Sequence, residues 1–148
     1  MSRCGLIKVR KAKTKDKSAI LDLLVELGRP APNKSQKALY LKLIQNYISD
    51  KQILVACDKD KIVGMASVVF IPRLNHTTPE LWIPELVVSG RYRNKGIGKK
   101  LMSSCQKLAK KKKCFRIRLE SGNQRKAAQR FYRKIGFDNV AVTLTKKP

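Results

Sequence analysis

The stretch Glu85-Leu-Val-Val-Ser-Gly-Arg-Tyr-Arg-Asn-Lys-Gly-Ile-Gly-Lys99 decides how the chain is read. Leu86, Val87 and Val88 form an apolar, strand-like run that Ser89 and Gly90 end. Apolar residues then return at helical spacing, at Ile97, Leu101, Met102, Cys105 and Leu108. A basic, glycine-containing turn thus opens a helix, where unpaired backbone N–H groups and the positive end of the dipole attract an anion. Gly96 and Gly98 let a bulky anion come close to the backbone.

Two phosphate-binding patterns fail here. The dinucleotide fingerprint needs a third glycine where Leu101 stands, and a P-loop needs Ser or Thr after Gly-Lys, where Lys100 follows Lys99. What is left is Arg93-Asn94-Lys95-Gly96-Ile97-Gly98.

Upstream, Leu6 to Lys11 alternates as a strand with one solvated face. Thr14 or Asp16 can cap a helix whose Ile20, Leu23, Leu24 and Leu27 share one face, and Gly28 and Pro30 stop it. Ser35 can cap a second helix, with an apolar stripe at Leu39, Leu43, Ile44 and Ile48 that packs in the core or walls a cleft. Gln52–Cys57 and Lys61–Ile71 read as an antiparallel hairpin about Asp58-Lys59-Asp60, with Gly64 marking a bulge or a close backbone contact. A loop from Pro72 to Pro79 holds His76, the single histidine. The central strand, Leu81 to Ser89, contains Pro84 and must be unpaired on one side there or bulged.

Downstream, the long helix from about Gly96 to Lys112 leads to a strand at Phe115–Glu120, a right-handed parallel crossover. A helix from about Asn123 or Gln124 to Gly136 follows, and Val140, Val142 and Leu144 suggest a last strand.

The 148 residues suit one domain, spanning 1–148, with a sizeable core. No apolar run approaches the ~20 residues of a membrane span, and the basic N-terminus lacks the apolar segment of a signal peptide. Cys4, Cys57, Cys105 and Cys114 are too unevenly spaced for a disulfide framework or zinc, so reduced thiols, no metal and a cytoplasmic location are expected. The net charge of +24, from 34 basic and 10 acidic residues, draws polyanions without choosing between a nucleotide cofactor and nucleic acid.

A second segment narrows the choice. Ser121-Gly-Asn123-Gln-Arg-Lys-Ala127-Ala-Gln-Arg-Phe131-Tyr132-Arg-Lys-Ile-Gly136-Phe137 and the Arg93–Gly98 hexapeptide together resemble the GNAT superfamily of acetyl-CoA-dependent N-acetyltransferases, in order and in distance. The Glu-Leu-Val-Val strand and the Leu27-Gly28-x-Pro30 helix end agree, so the resemblance runs from about Leu6 to Leu144.

The resemblance implies an α/β (α+β) fold: a mixed, mostly antiparallel sheet of about six to seven strands, splayed between the fourth and fifth, with about four helices. It implies acetyl-CoA as cosubstrate. Leu86, Val87 and Val88 would pair with the pantetheine arm, and the backbone of Asn94, Lys95, Gly96, Ile97, Gly98 and Lys99 would hold the pyrophosphate, with Arg93 at the signature's first position. Asn123 would contact the cofactor arm, or serve as a plain N-cap, and Tyr132 would lie near the sulfur. Attack of a neutral amine on a thioester needs a base, a donor for the developing oxyanion and an acid for the departing thiolate. Glu85, with Glu80 behind it, a strand N–H near Val87, and Tyr132 are the candidates.

The amine acceptor is open. A polycationic aminoglycoside is a poor electrostatic match for a +24 protein, and an acidic acceptor is an easier one. The alternative class is a nucleic-acid or ribosome-binding module that keeps only the fold. Monomer and homodimer are equally compatible with the sequence, and non-specific nucleic-acid affinity from the basic surface stays open.

Overall fold

The computed structural model describes residues 5–148, so Cys4 lies outside the described residues. The elements are β1 (Ile7–Lys11), α1 (Lys17–Glu26), α2 (Lys34–Ser49), β2 (Ile53–Asp58), β3 (Lys61–Ser67), β4 (Val69–Ile71), β5 (Glu80–Ile83), β6 (Leu86–Val88), α3 (Ile97–Lys111), β7 (Ile117–Leu119) and α4 (Lys126–Lys134). The chain forms two compact units, one ending at Arg118 and the other running from Leu119 to Pro148.

In the first unit, β2 and β3 make the expected hairpin, and β1 and β6 flank it in the order β1-β2-β3-β6. Every pair in this four-stranded sheet is antiparallel. The hairpin turn lacks glycine because Lys59 itself takes the left-handed conformation, at φ 55°. Side chains alternate between two faces. Ile53, Val55 and Cys57 of β2, Met65 of β3 and Val87 of β6 pack with Ile20, Leu23, Ile44 and Ile48 of α1 and α2. On the other face α3 lies so close to Gly64 that a Cβ there would stand 3.2 Å from Leu101 Cδ1 and 3.1 Å from the Val87 carbonyl. The pairing slips beside Gly64, between Ala56 and Cys57. Gly64 thus marks both a bulge and a close approach.

A second, three-stranded sheet has the order β4-β5-β7. The long runs Lys61–Ile71 and Leu81–Ser89 each break once, and at the same place. Ser67 N–H bonds to Glu85 O at 2.9 Å, whereas Val69 lies opposite Trp82, so Ile83 and Pro84 together face Val68 alone. That extra residue is a bulge. Pro84 has no N–H to give, and the chain turns there from the sheet of β7 to the sheet of β3. The seven described strands thus lie in two sheets that share this bent hairpin, in the mixed, mostly antiparallel arrangement expected.

Several expectations are corrected. Asn33, not Ser35, caps α2: its Oδ1 accepts from Gln36 N–H at 2.9 Å, Gln36 Oε1 accepts from Asn33 N–H at 3.0 Å, and the Ser35 hydroxyl donates to Asn33 Oδ1. Leu39 and Leu43 are about half exposed, so only Ile44 and Ile48 of the α2 stripe are core. In the second unit α4 begins at Lys126 behind an Arg125 cap, so Asn123 is not its N-cap. Val140, Val142 and Leu144 are exposed and form no strand: alternation becomes a strand only where a neighbouring edge pairs with it, and residues 138–148 have none.

Candidate active site

The site is built from the bend. Glu85 directly follows the bulge between β5 and β6, and the register that puts Met65 and Val87 on the α1/α2 face puts Ser67 and Glu85 there too. Both side chains line a cavity of about 320 Å³ between the sheet and helices α1 and α2. Its walls are apolar, including Ile20, Leu24, Ile44, Ile53 and Met65, and its polar groups are few. The Ser67 hydroxyl donates to Glu85 Oε2 and accepts from Glu85 N–H at 3.1 Å, which fixes the carboxylate against its own strand. Arg29 Nη2 stands 3.5 Å from Glu85 Oε1.

Arg29 is placed by the end of α1. Leu27-Gly28-Arg29 closes it as a Schellman motif, with Gly28 at φ 100°, Gly28 N–H bonded to Val25 O and Arg29 N–H to Leu24 O. The Gly-x-Pro stop seen in the sequence thus aims x, Arg29, at the cavity.

Next to Glu85, β6 is an edge strand, because the sheet order ends with it. Antiparallel pairing turns alternate residues toward the partner. Glu85 O and Ser89 N–H bond to β3, and Val87 lies opposite Met65 between them. The Val87 N–H therefore points into the ladder, and the outward backbone groups are those of Leu86 and Val88. These flank Val87, where the sequence places a strand donor.

The basic turn follows at once. Gly90–Tyr92 is one 3-10 turn, Asn94 and Gly96 take positive φ of 59° and 76°, and α3 starts at Ile97. Lys100 N–H reaches Gly96 O at 3.1 Å, so Ile97, Gly98 and Lys99 carry the first-turn N–H groups that no helix carbonyl can satisfy. A Cβ on Gly96 would meet nothing within 4 Å, which leaves open space over the turn. Lys99 and Lys95 are exposed. Arg93 Nε donates to Val88 O at 3.2 Å, and Glu26 Oε1 accepts from Gly90 N–H at 2.5 Å and lies 3.8 Å from Arg93 Nη2.

Glu80 does not stand behind Glu85 as a second base. Its side chain is fully buried and is bonded by Arg116 and by Arg118 Nε (2.8 Å), with Arg73 3.6 Å away. Burial alone pushes its carboxyl up, but the hydrogen bonds from Arg118 and Arg116 outweigh this and hold it below the ordinary carboxylate range. It ties β5 to β7.

In the second unit Asn123 is exposed in a turn ahead of α4. Tyr132 is half-buried on α4, with its ring 5.3 Å from that of Phe131 and 5.9 Å, edge-on, from that of Phe137.

The model of the acetyltransferase (GNAT) family matches residues 19–137. The chain belongs to the GNAT family. The uncharacterized N-acetyltransferase YhdJ of Bacillus subtilis (strain 168) is 40% identical over 80 residues, which are 53% of this chain and 56% of that protein, so the match spans about half of each. Among solved structures, a transcriptional regulator from Bacillus halodurans C-125 superposes with a TM-score of 0.85 at 26% identity, over 95% of this chain and 99% of that one. An acetyltransferase from Trypanosoma brucei does so with a TM-score of 0.80 at 26% identity, over 96% and 99%. The GNAT assignment fits the seven strands and four α-helices of the described residues.

Ser67, Arg29 and Glu26 were not singled out from the sequence. Arg29 had a visible signal, its place in the Gly-x-Pro helix stop, whereas Ser67 meets Glu85 only through the bulge at Pro84, which shifts the hairpin by one residue. No described helix is long and apolar enough to cross a membrane.

Proposed function

We propose that the protein is an N-acetyltransferase that passes the acetyl group of acetyl-CoA directly to a primary amine. The observation that carries the reading is the position of Glu85: a carboxylate facing an apolar cavity, one residue ahead of an edge strand that runs into a basic helix start. The residues fit the cosubstrate. The outward groups of Leu86 and Val88 suit the amides of a pantetheine arm, and the first-turn N–H groups with Lys95 and Lys99 suit a pyrophosphate. Val87 supports this strand from the core side, and Arg93, Asn94, Gly96, Ile97 and Gly98 shape the turn.

Acetyl-CoA supplies an acyl carbon activated as a thioester. The protein's own tasks are to make the amine nucleophilic, to stabilise charge and to return a proton. A primary ammonium with pKa around 10 is mostly charged at neutral pH and must lose a proton before it attacks. Glu85 takes that proton, directly or through a water, while Ser67 holds its other oxygen and keeps it aimed. The N–H of Leu86 or Val88 is the donor for charge growing on the carbonyl oxygen. Tyr132 gives a proton to the departing sulfur, and Asn123 holds the cofactor arm; both assignments rest on the second motif of the sequence. We place the enzyme in the cytoplasm, in keeping with the free thiols of Cys57, Cys105 and Cys114.

The competing reading, a nucleic-acid module, rests on the +24 charge. Thermal stabilisation separates the two at fixed salt. Acetyl-CoA at ~100 μM raises the melting temperature if the reading holds. No shift, together with tight, salt-dependent RNA binding, overturns it.

A further inference from the structure

Within the transferase reading, on which this step rests, the cavity says something about the acceptor. Its body is apolar, with Ile20, Leu24, Ile44, Ile53 and Met65 around it, and Leu43, about half exposed, continues the apolar surface along the lining. Against this wall stands one charge pair, Glu85 and Arg29, 3.5 Å apart. Arg29 is 56% exposed and Glu85 24%, so the pair belongs to the opening and its charges are accessible.

Charge arithmetic decides which amines fit. Glu85 and Arg29 together are neutral. An ammonium brought to Glu85 leaves one unbalanced cation beside a guanidinium, and a polyamine leaves several, inside a molecule that already carries +24. An acceptor that carries an anion next to its amine restores neutrality: its ammonium meets Glu85 and its anion meets the planar fork of Arg29. Because the two protein charges are adjacent, the two ligand charges must be as well, on the same or neighbouring carbons. A cavity of about 320 Å³, at the small end of the ~300–1,000 Å³ seen for ligand pockets, then takes an apolar side chain.

We infer that the acceptor is an apolar zwitterion with adjacent amine and carboxylate, an α-amino acid with an aliphatic or aromatic side chain being the minimal form, and that Arg29 is its specificity-determining residue. The acetyl carbon gains a bond to the amine nitrogen and loses its bond to sulfur. Of the two protons that leave the ammonium nitrogen, Glu85 takes the first before attack; Tyr132 gives a proton to the departing thiolate, and the second nitrogen proton, released after attack, replaces it, so the products are the amide, the free thiol of coenzyme A and a protonated Glu85.

The test uses the full chain and four probes: L-phenylalanine, L-leucine, 2-phenylethylamine, which lacks the carboxylate, and the polycation spermidine. Release of free thiol from acetyl-CoA should show kcat/KM for phenylalanine or leucine at least about tenfold above phenylethylamine, with spermidine lowest. Arg29→Gln should lower the phenylalanine-to-phenylethylamine ratio about tenfold, chiefly through KM. Phenylethylamine or spermidine preferred by the wild type, or a ratio unmoved by Arg29→Gln, overturns the inference while leaving the transferase reading standing. A second readout needs no acetyl-CoA: phenylalanine should raise the melting temperature of the wild type and not that of Arg29→Gln. If it does so while acetyl-CoA neither binds nor reacts, the pocket assignment holds and the transferase reading falls.

Discussion

Replacing Glu85 by glutamine keeps the shape of the side chain and removes its ability to take a proton. The structural cost is small. The ion pair with Arg29 spans 3.5 Å at the opening, and an exposed pair of this kind is worth about 0–1 kcal/mol. The Ser67 hydroxyl loses a charged acceptor but can still donate to the amide oxygen, at a cost of about 1 kcal/mol. A domain of this size should therefore melt only a few degrees lower. The effect on transfer is larger: a positioned general base contributes about 10²–10⁴-fold, so kcat/KM should fall at least ~100-fold, or about 2.7 kcal/mol of transition-state stabilisation. The assay is thiol release from acetyl-CoA at neutral pH, with urea unfolding of both proteins in parallel. A variant within threefold of the wild type refutes Glu85 as the base.

Tyr132→Phe should retain acetyl-CoA binding by thermal shift and transfer more slowly; an unchanged turnover number removes Tyr132 as the acid. Gly64→Ala should destabilise the fold by about 1–3 kcal/mol in urea, because its Cβ would press on the Val87 carbonyl and on the fully buried Leu101. Asp16 and Glu80 should govern acid stability. Burial pushes both carboxyls up, but Arg10 and the Lys13 N–H at Asp16, and Arg118 and Arg116 at Glu80, hold them below their ordinary values. The unfolded chain then binds more protons in acid, so their stabilisation is present above the unfolded pKa and is lost as pH falls through the folded one. Asp16→Asn and Glu80→Gln should each lower stability at neutral pH and flatten the acid limb of the stability curve; an unchanged acid limb contradicts the linkage.

What the residues announced in advance were features written in local chemistry. Gly96 opens α3 with a positive φ, Gly28 closes α1, Gly64 takes a helix against its backbone, and Pro84 forces a break in the strand it occupies. Each requirement can be read from one residue and its neighbours. The face that Glu85 presents could not be read this way, because it depends on how many residues bulge at Pro84 across from Val68, which is a property of the paired strands. The role of Glu80 was misjudged for a related reason. Arg116 and Arg118 lie more than thirty positions downstream and reach it only once β7 is seated beside β5. The last strand failed because alternation at Val140, Val142 and Leu144 names a face without supplying a partner. Asn33 outcompeted Ser35 as a cap through its reciprocal bond with Gln36, a spacing that is legible once both positions are compared.

The central claim is that the cavity at Glu85 serves acetyl transfer from acetyl-CoA to an amine. The most direct measurement is release of free coenzyme A thiol by the purified full-length chain across an amine panel, with the acetylated product confirmed by mass spectrometry. The account predicts amine-dependent thiol release in the wild type, reduced at least ~100-fold in Glu85→Gln. Equal thiol release with and without amines, or no acetylated amine under conditions where acetyl-CoA is bound, contradicts it.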